Sequence, residues 1–256
     1  MLLEATAPRI SEPSAAEEAR ALEARYGHLE PQLVIELAID RFFAEEIATV
    51  SSFGAESAVL LHMIAEIDPT LPVLFLETGK HFDATLSYRE TLARHLGLTN
   101  VIDVRPRAET VAARDPYGIM FSLDRDGCCH MRKVEPLARA VAPYRAWFTG
   151  RKQFQASTRT ALPIFETVGP RVRINPLARW RSADLAAYMT RHDLPAHPLV
   201  ERGYRSIGCQ ACTRPVEKDE DERAGRWAGT AKIECGIHLS GLEGSLRNIS
   251  FTDSSL

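Results

Sequence analysis

A chain of 256 residues is long enough to bury a full core and reads most economically as one large α/β domain with appendages. Its apolar content of 45% and charged content of 25% are those of an ordinary globular protein, and a net charge of -3 gives no global attraction for nucleic acid or an anionic membrane. No apolar run reaches membrane-span length and no basic segment leads into a hydrophobic stretch with a cleavage site, so a cytoplasmic protein without membrane or nucleic-acid partners is expected.

In chain order, residues 1–13 are mixed and Ser/Pro-containing, an expected frayed start. An Ala/Glu/Arg-rich stretch follows, with Leu33, Ile35, Leu37, Ala38, Phe42 and Phe43 at helical spacing through residue 46. Residues 47–50 predict a strand that runs into the small-residue loop 51–57 and then an apolar helix through Ala65. A second strand at 73–76, the turn Glu77-Thr78-Gly79 and a helix over 82–96 repeat the pattern, and 101–104 reads as a third strand. Strands alternating with helices at this spacing predict a parallel, doubly wound sheet with right-handed crossovers. Helices are expected over 128–141 with a break near Pro136, then a strand at 146–149. Two apolar runs, 162–167 and 172–175, split by Gly169-Pro170, predict a hairpin, and Ser182 is the expected cap of a helix reaching Arg191. Residues 217–229 are highly charged, and the tail after Leu239 is Ser/Gly-rich.

Three stretches carry chemistry. The strand-to-helix loop Ser51-Ser52-Phe53-Gly54-Ala55-Glu56-Ser57 is a candidate anion site, because backbone N–H groups at a helix start attract phosphate; it is neither a Walker loop nor a Rossmann fingerprint. The stretch from Gly150 through Arg151, Lys152, Gln155 and Ser157 to Arg159 gathers three cations after a strand and suits phosphate or sulfate. Near the carboxyl end, Cys235 stands between Lys232 and His238. Nearby cations favour the thiolate, so Cys235 is a candidate nucleophile, and Gly236 beside it would let a substrate come close.

Five cysteines, two of them adjacent, do not suit a secreted disulfide framework. Cys128-Cys129 and Cys209-Gln210-Ala211-Cys212 form two close pairs that could hold one tetrahedral zinc or one cubane iron–sulfur cluster. Adjacent ligands are cramped on a single small ion, whereas a cubane spreads its corners, so the spacing favours the cluster. A thioredoxin-like redox role for Cys209 and Cys212 lacks the expected Trp-Cys-Gly-Pro context.

Taken together, the 52–57 loop, Leu76-Glu77-Thr78-Gly79, Cys128-Cys129 with Arg132-Lys133 and Pro136-Leu137, the 150–159 loop, Cys209-x-x-Cys212, Gly225-Arg226-Trp227 and Glu234-Cys235-Gly236-Ile237-His238 resemble the assimilatory sulfonucleotide reductases, from about residue 47 to 239. Chains with both cysteine pairs resemble the adenylyl-sulfate (APS) reductases; cluster-free members use the 3′-phosphorylated nucleotide PAPS. The resemblance implies an adenine nucleotide α-hydrolase-like (PP-loop) sheet with flanking helices and a mobile C-terminal segment. Three regions follow, a helical 1–46, an α/β 47–216 that binds sulfonucleotide and cluster, and 217–256 carrying the nucleophile. By the same resemblance Cys128, Cys129, Cys209 and Cys212 hold one [4Fe–4S] cluster, Lys133 lies near cluster and substrate, and Cys235 is the nucleophile. Substrate would be met by Ser51, Ser52, Phe53, Gly54, Ser57, Leu76, Thr78, Gly79, Gly150, Lys152, Gln155, Arg159, Arg223, Arg226, Lys232 and His238. Thioredoxin is the implied reductant and a homo-oligomer the expected assembly. The chain departs from the family with Glu77 where Asp is usual, Lys152 for Arg and Ala156 for Ser; a lysine is a point donor where arginine is a fork. A tRNA-thiolating or ATP-pyrophosphatase relative would show Ser-Gly-Gly-x-Asp-Ser in the first loop, which is absent, and a non-catalytic metal module would have no use for three basic loops.

Overall fold

A computed structural model describes residues 13–230, 232, 234–238 and 240–247, so the expected frayed start lies almost wholly outside the described residues. Helix α1 (Ala15–Tyr26) opens on a capping box in which Ser14 and Glu17 satisfy each other's backbone N–H groups. Then come α2 (Pro31–Leu37), a π turn (Ala38–Phe42), β1 (Ile47–Ser51), α3 (Ser57–Ala65), β2 (Val73–Leu76), α4 (Asp83–His95), β3 (Val101–Val104), α5 (Ala108–Arg114), α6 (Met120–Leu123) and α7 (Arg125–Cys129). A second π turn (His130–Val134) leads into α8 (Glu135–Ala140), followed by β4 (Ala146–Thr149), β5 (Phe165–Val168), β6 (Arg171–Ile174), α9 (Ser182–Arg191) and α10 (Ser240–Arg247).

The six strands form one sheet in the order β3-β2-β1-β4-β6-β5, parallel except for the antiparallel β5–β6 hairpin that turns at Gly169 with φ 58°. The architecture is thus α/β with a parallel-dominated sheet. β2 and β4 are buried at every residue and read as unbroken apolar runs because helices cover both faces. α3 is apolar on nearly all sides for the same reason: Val59, Leu60, Met63 and Ile64 enter one core, Ala58 and Leu61 another. β1 pairs with β2 on one side and β4 on the other, so the strand order reverses at β1 and a crevice opens beyond the carboxyl ends of β1 and β4.

Three local expectations change. The break near Pro136 lies before it, as the π turn His130–Val134; proline sits in the first turn of α8, where its missing N–H costs nothing. The cap of α9 is Arg181, whose N–H donates to the Asp184 carboxylate at 2.8 Å, and Ser182 is the first helical residue. The Ser/Gly-rich tail contains α10, which drives Leu242 and Leu246 into the core with Val134, Leu137 and Ala138. Two leucines four apart are all the apolar signal that helix carries, too little to stand out by periodicity.

Candidate active site

The crevice is an open cleft of about 1300 Å³ floored by β1 and β4 and walled by three loops. From the first loop, Ser51, Ser52, Gly54 and Ser57 line it, and Leu76 joins them from β2. Ser51 Oγ accepts the Phe53 N–H at 3.1 Å and Ser57 Oγ accepts the Gly54 N–H at 2.9 Å, a hydroxyl-braced turn at the start of α3. Phe53, at φ 46°, turns its ring away from the cleft into the core, edge-on to Phe75 at 5.5 Å.

The loop after β4 contributes Gly150, Arg151, Lys152, Gln155 and Arg159. Lys152 is 2% exposed; its ammonium donates to Glu56 at 2.6 Å, and the Gln155 amide donates to the same carboxylate at 2.9 Å. Burial pushes the Lys152 pKa down, and Glu56 holds part of it back. Arg159 donates to Gln155 at 2.6 Å and to Glu234 at 2.7 Å.

The C-terminal segment supplies the third wall, with Arg223, Arg226, Trp227, Cys235, Ile237 and His238. The Arg226 guanidinium lies 4.6 Å from the Trp227 ring centre. Positive charge here is in excess. Burial, then Arg173, pushes Arg151 down to about 9; burial, then Arg226, pushes Arg223 down to about 10. His238 is driven far below the ordinary histidine range by burial and by Arg159, Arg151, Arg173 and Arg223. It is therefore neutral, and the cations that act on Cys235 include Lys133 and Arg226, with Lys232 and Arg223 also attracted to it. That corrects the reading of His238 as a cation beside the thiol. Among the described residues, buried nitrogens of Arg151, Arg226 and His238 find no hydrogen-bond partner, as expected of groups awaiting a polar ligand.

Behind this wall is a second, smaller gap, lined by Cys128, Cys129, Cys209 and Cys212 together with Lys80, Phe121, Arg125, Arg132, Lys133 and Trp227. Cys128 and Cys129 arrive on α7, Cys209 and Cys212 on an irregular turn. Burial and the neighbouring sulfurs push Cys128 and Cys212 up, against the opposing pull of Arg132 on Cys128 and of Lys133, Arg125 and Arg226 on Cys212. Thr78 Oγ1 stands 3.4 Å from Cys209 Sγ, and Gly79, at φ 68°, lies against Arg132, so both stand beside residues of this gap and neither lines the cleft. Arg132 is fixed by Asp115 at 2.7 Å and the Thr78 carbonyl at 2.8 Å. Among the described residues no three His, Cys, Asp or Glu side chains converge tightly enough for a single metal ion. The four thiols instead line one small gap among cations, a donor set that fits a multi-atom group ligated by thiolates.

Cys235 and Lys133 join the two spaces. Cys235 is 6% exposed and lines the cleft, and its sulfur shares a hydrogen bond with Cys129 across the wall. That bond, with Lys133 and Arg226, pulls Cys235 well below the ordinary thiol range against the opposing effect of burial. Lys133 lines both cleft and gap, and the sulfurs of Cys209, Cys235 and Cys129 raise its pKa although burial alone would lower it. Gly236 lets the segment lie close: a Cβ there would stand 3.0 Å from Val134. Lys232 turns away from the cleft to pair with Asp126.

Residues 46–215 match the model of the phosphoadenosine phosphosulfate reductase domain. An adenosine 5′-phosphosulfate reductase of Mesorhizobium japonicum is 60% identical over 94% of this chain and 93% of its own length. This chain belongs to the phosphoadenosine phosphosulfate reductase family. As a sulfonucleotide reductase it is an oxidoreductase, and its fold agrees with solved relatives. The phosphoadenylyl-sulfate reductase of Candida auris, in a phosphate complex, aligns with a TM-score of 0.65 at 27% identity over 78% of this chain and 98% of that one. The FMN adenylyltransferase of Candida glabrata shares the fold alone, with a TM-score of 0.51 at 14% identity over 86% and 83% of the two chains. Within the reductase cleft, sequence reasoning passed over Glu56, Arg205 and Glu234, all of which line it. For Glu234 the signal was an acid fused to the nucleophile motif; for Arg205 there was none, because its segment reaches the cleft only through tertiary packing.

Proposed function

We propose that this reductase converts adenylyl sulfate to sulfite and AMP, in sulfate assimilation, with a dithiol protein of the thioredoxin type as reductant. The observation that carries the reading is the position of Cys235 at the junction of an anion-seeking cleft and a four-thiol gap, with Lys133 facing both.

In the first step the Cys235 thiolate attacks the sulfate sulfur. A bond forms between the two sulfurs, the bridging S–O bond breaks, and its electron pair leaves on the AMP phosphate, giving an S-sulfocysteine. Lys133, Arg223 and Arg226 line the cleft and neutralise the sulfate and the departing phosphate, while Ser51, Ser52, Gly54 and Ser57 receive the nucleotide through hydroxyls and backbone N–H groups. In the second step a reductant thiolate attacks Cys235 Sγ. Sulfite leaves with the electron pair of the S–S bond, and the mixed disulfide is resolved by the reductant's second thiol, so one dithiol becomes one disulfide. Because Cys235 is buried, its segment must open for this step.

Cys128, Cys129, Cys209 and Cys212 would hold one [4Fe–4S] cluster. When bound it supplies a compact concentration of charge beside Lys133 and hence beside the sulfate.

The reading is tested by incubating protein with adenylyl sulfate alone and weighing it intact. Wild type should gain the mass of one sulfonate and Cys235→Ser none; an adduct of equal yield in the serine variant sinks the nucleophile assignment. Parallel turnover on adenylyl sulfate and its 3′-phosphorylated form decides between APS, PAPS and dual use. Anaerobic purification should yield brown protein with about four iron per chain, and colourless active protein rejects the cluster.

A further inference from the structure

An acid beside the nucleophile of an enzyme that takes an anionic substrate works against binding, since like charges repel across a water-poor cleft. Glu234 nevertheless lies on the cleft wall, 4% exposed and immediately before Cys235. Its carboxylate accepts from Arg159 Nε at 2.7 Å and from the Cys235 backbone N–H at 2.9 Å, and Arg223 stands 3.4 Å away. Arg159 belongs to the loop after β4. It also donates to Gln155, which donates to Glu56 beside the first nucleotide loop. A chain of charge-assisted hydrogen bonds therefore runs from the start of α3 to the backbone nitrogen of the nucleophile. Regular structure does not hold this part of the chain: among the described residues, the stretch from 213 to 235 contains one isolated bridge, Thr213 with Arg226, and no helix or strand.

We propose that Glu234 is a positioning residue for sulfur transfer, an internal anion that ties the Cys235 segment to Arg159 and thereby sets the thiol against the cleft. The proposal rests on the reading of Cys235 as the nucleophile. On this view the family's basic loop has two tasks, with Arg159 serving as the anchor of the segment while other cations meet the substrate. Releasing the Glu234–Arg159 pair is also the local event that would free Cys235 for a protein reductant.

Glu234→Gln keeps the size of the side chain and an oxygen for the Cys235 N–H while removing the charge that holds Arg159. Arg159→Lys keeps the charge but loses the Nε–H donor. At saturating adenylyl sulfate without reductant, the first-order rate of adduct formation should fall about 100-fold in either variant, as a displacement of about an ångström at the reacting atom entails. The double variant should be no slower than the poorer single, the mark of one shared contact. In ligand-free Glu234→Gln, amide hydrogen exchange across residues 232–238 should accelerate about tenfold, while the AMP dissociation constant stays the same or tightens. Additive losses, unchanged exchange, or an AMP affinity that falls in step with the rate would each overturn the proposal. Should Glu234→Gln fail to fold, Arg159→Lys carries the same rate and exchange measurements. If wild type forms no adduct, the functional reading fails, whereas the exchange measurement needs no substrate and still decides the positioning role.

Discussion

The sheet side of the cleft and its C-terminal side hold their polar groups by different means. On the sheet side the loops leave strands buried on both faces, and their polar groups are paired within a rigid frame. Thr149 donates to Asn175 at 2.6 Å, Lys152 pairs with Glu56, and Arg151 and Arg173 share Glu166 at 2.8 Å each. On the C-terminal side, cations stack on Trp227 and a few ion pairs stand in for secondary structure, one of them the exposed Arg214–Glu220 pair, worth little in water. α10 pins the far end by burying Leu242 and Leu246. The contrast suits the proposed chemistry, in which the frame receives a nucleotide and need not move while the segment presents Cys235 first to the substrate and then to a reductant.

The sharpest way to break this division of labour is Cys235→Ser. Sulfite release should fall by about 10⁴-fold or more while the AMP dissociation constant, measured by calorimetry, shifts less than about threefold. A large loss of affinity would mean the segment also carries nucleotide binding.

Asp115→Ala tests the thiol side as a structural unit. It leaves Arg132 charged and buried without its carboxylate, so urea unfolding should show a loss of about 3–5 kcal/mol. It should also reduce cluster content, because Arg132 holds the Thr78 carbonyl beside Cys209.

Lys152→Ala addresses the sheet side. With its partner gone, the Glu56 carboxylate faces the cleft and repels phosphate, and AMP affinity should drop about tenfold, close to 1.4 kcal/mol, with adduct formation at saturation little changed. A rate loss without an affinity loss would reverse the assignment of the two sides.

The smallest effect concerns the frame under acid. His197, fully buried, accepts the Leu199 N–H on Nδ1 and therefore carries its proton on Nε2, toward Thr85 Oγ1 at 3.0 Å. Burial pushes its pKa down to about 4, against about 6.5 in the unfolded chain. Between these values the unfolded state binds more protons, so the contribution of His197 is full above pH 6.5 and is lost as pH falls toward 4, with a slope of at most about 1.4 kcal/mol per pH unit. His197→Gln should flatten that part of the pH–stability curve measured in urea; an unchanged slope would assign it to other groups.

Much of the frame was legible because local rules and global fold agree there. The runs 47–50, 73–76, 101–104 and 146–149 are short, apolar and separated by helical patterns, and all four are parallel strands. Gly169-Pro170 foretold the hairpin. α5, α6 and α10 were not legible, since each is short and carries few apolar residues to set a period. Phe53 shows the limit of a motif: it belongs to the nucleotide loop in sequence, yet a positive φ turns its ring into the core.

Residue type and short spacing were enough to single out two cysteine pairs, a lone Cys235, a small-residue loop and the basic stretch 150–159 as candidates. Tertiary structure alone decided how their charges are spent. Lys152 lies against Glu56, Arg159 against Glu234 and Lys232 against Asp126, while burial, with four arginines around it, keeps His238 neutral and brings Lys133 and Arg226 to bear on the thiol. Those partners are far apart along the chain, and electrostatic energy depends on distance and burial in space, so no local pattern could have assigned them.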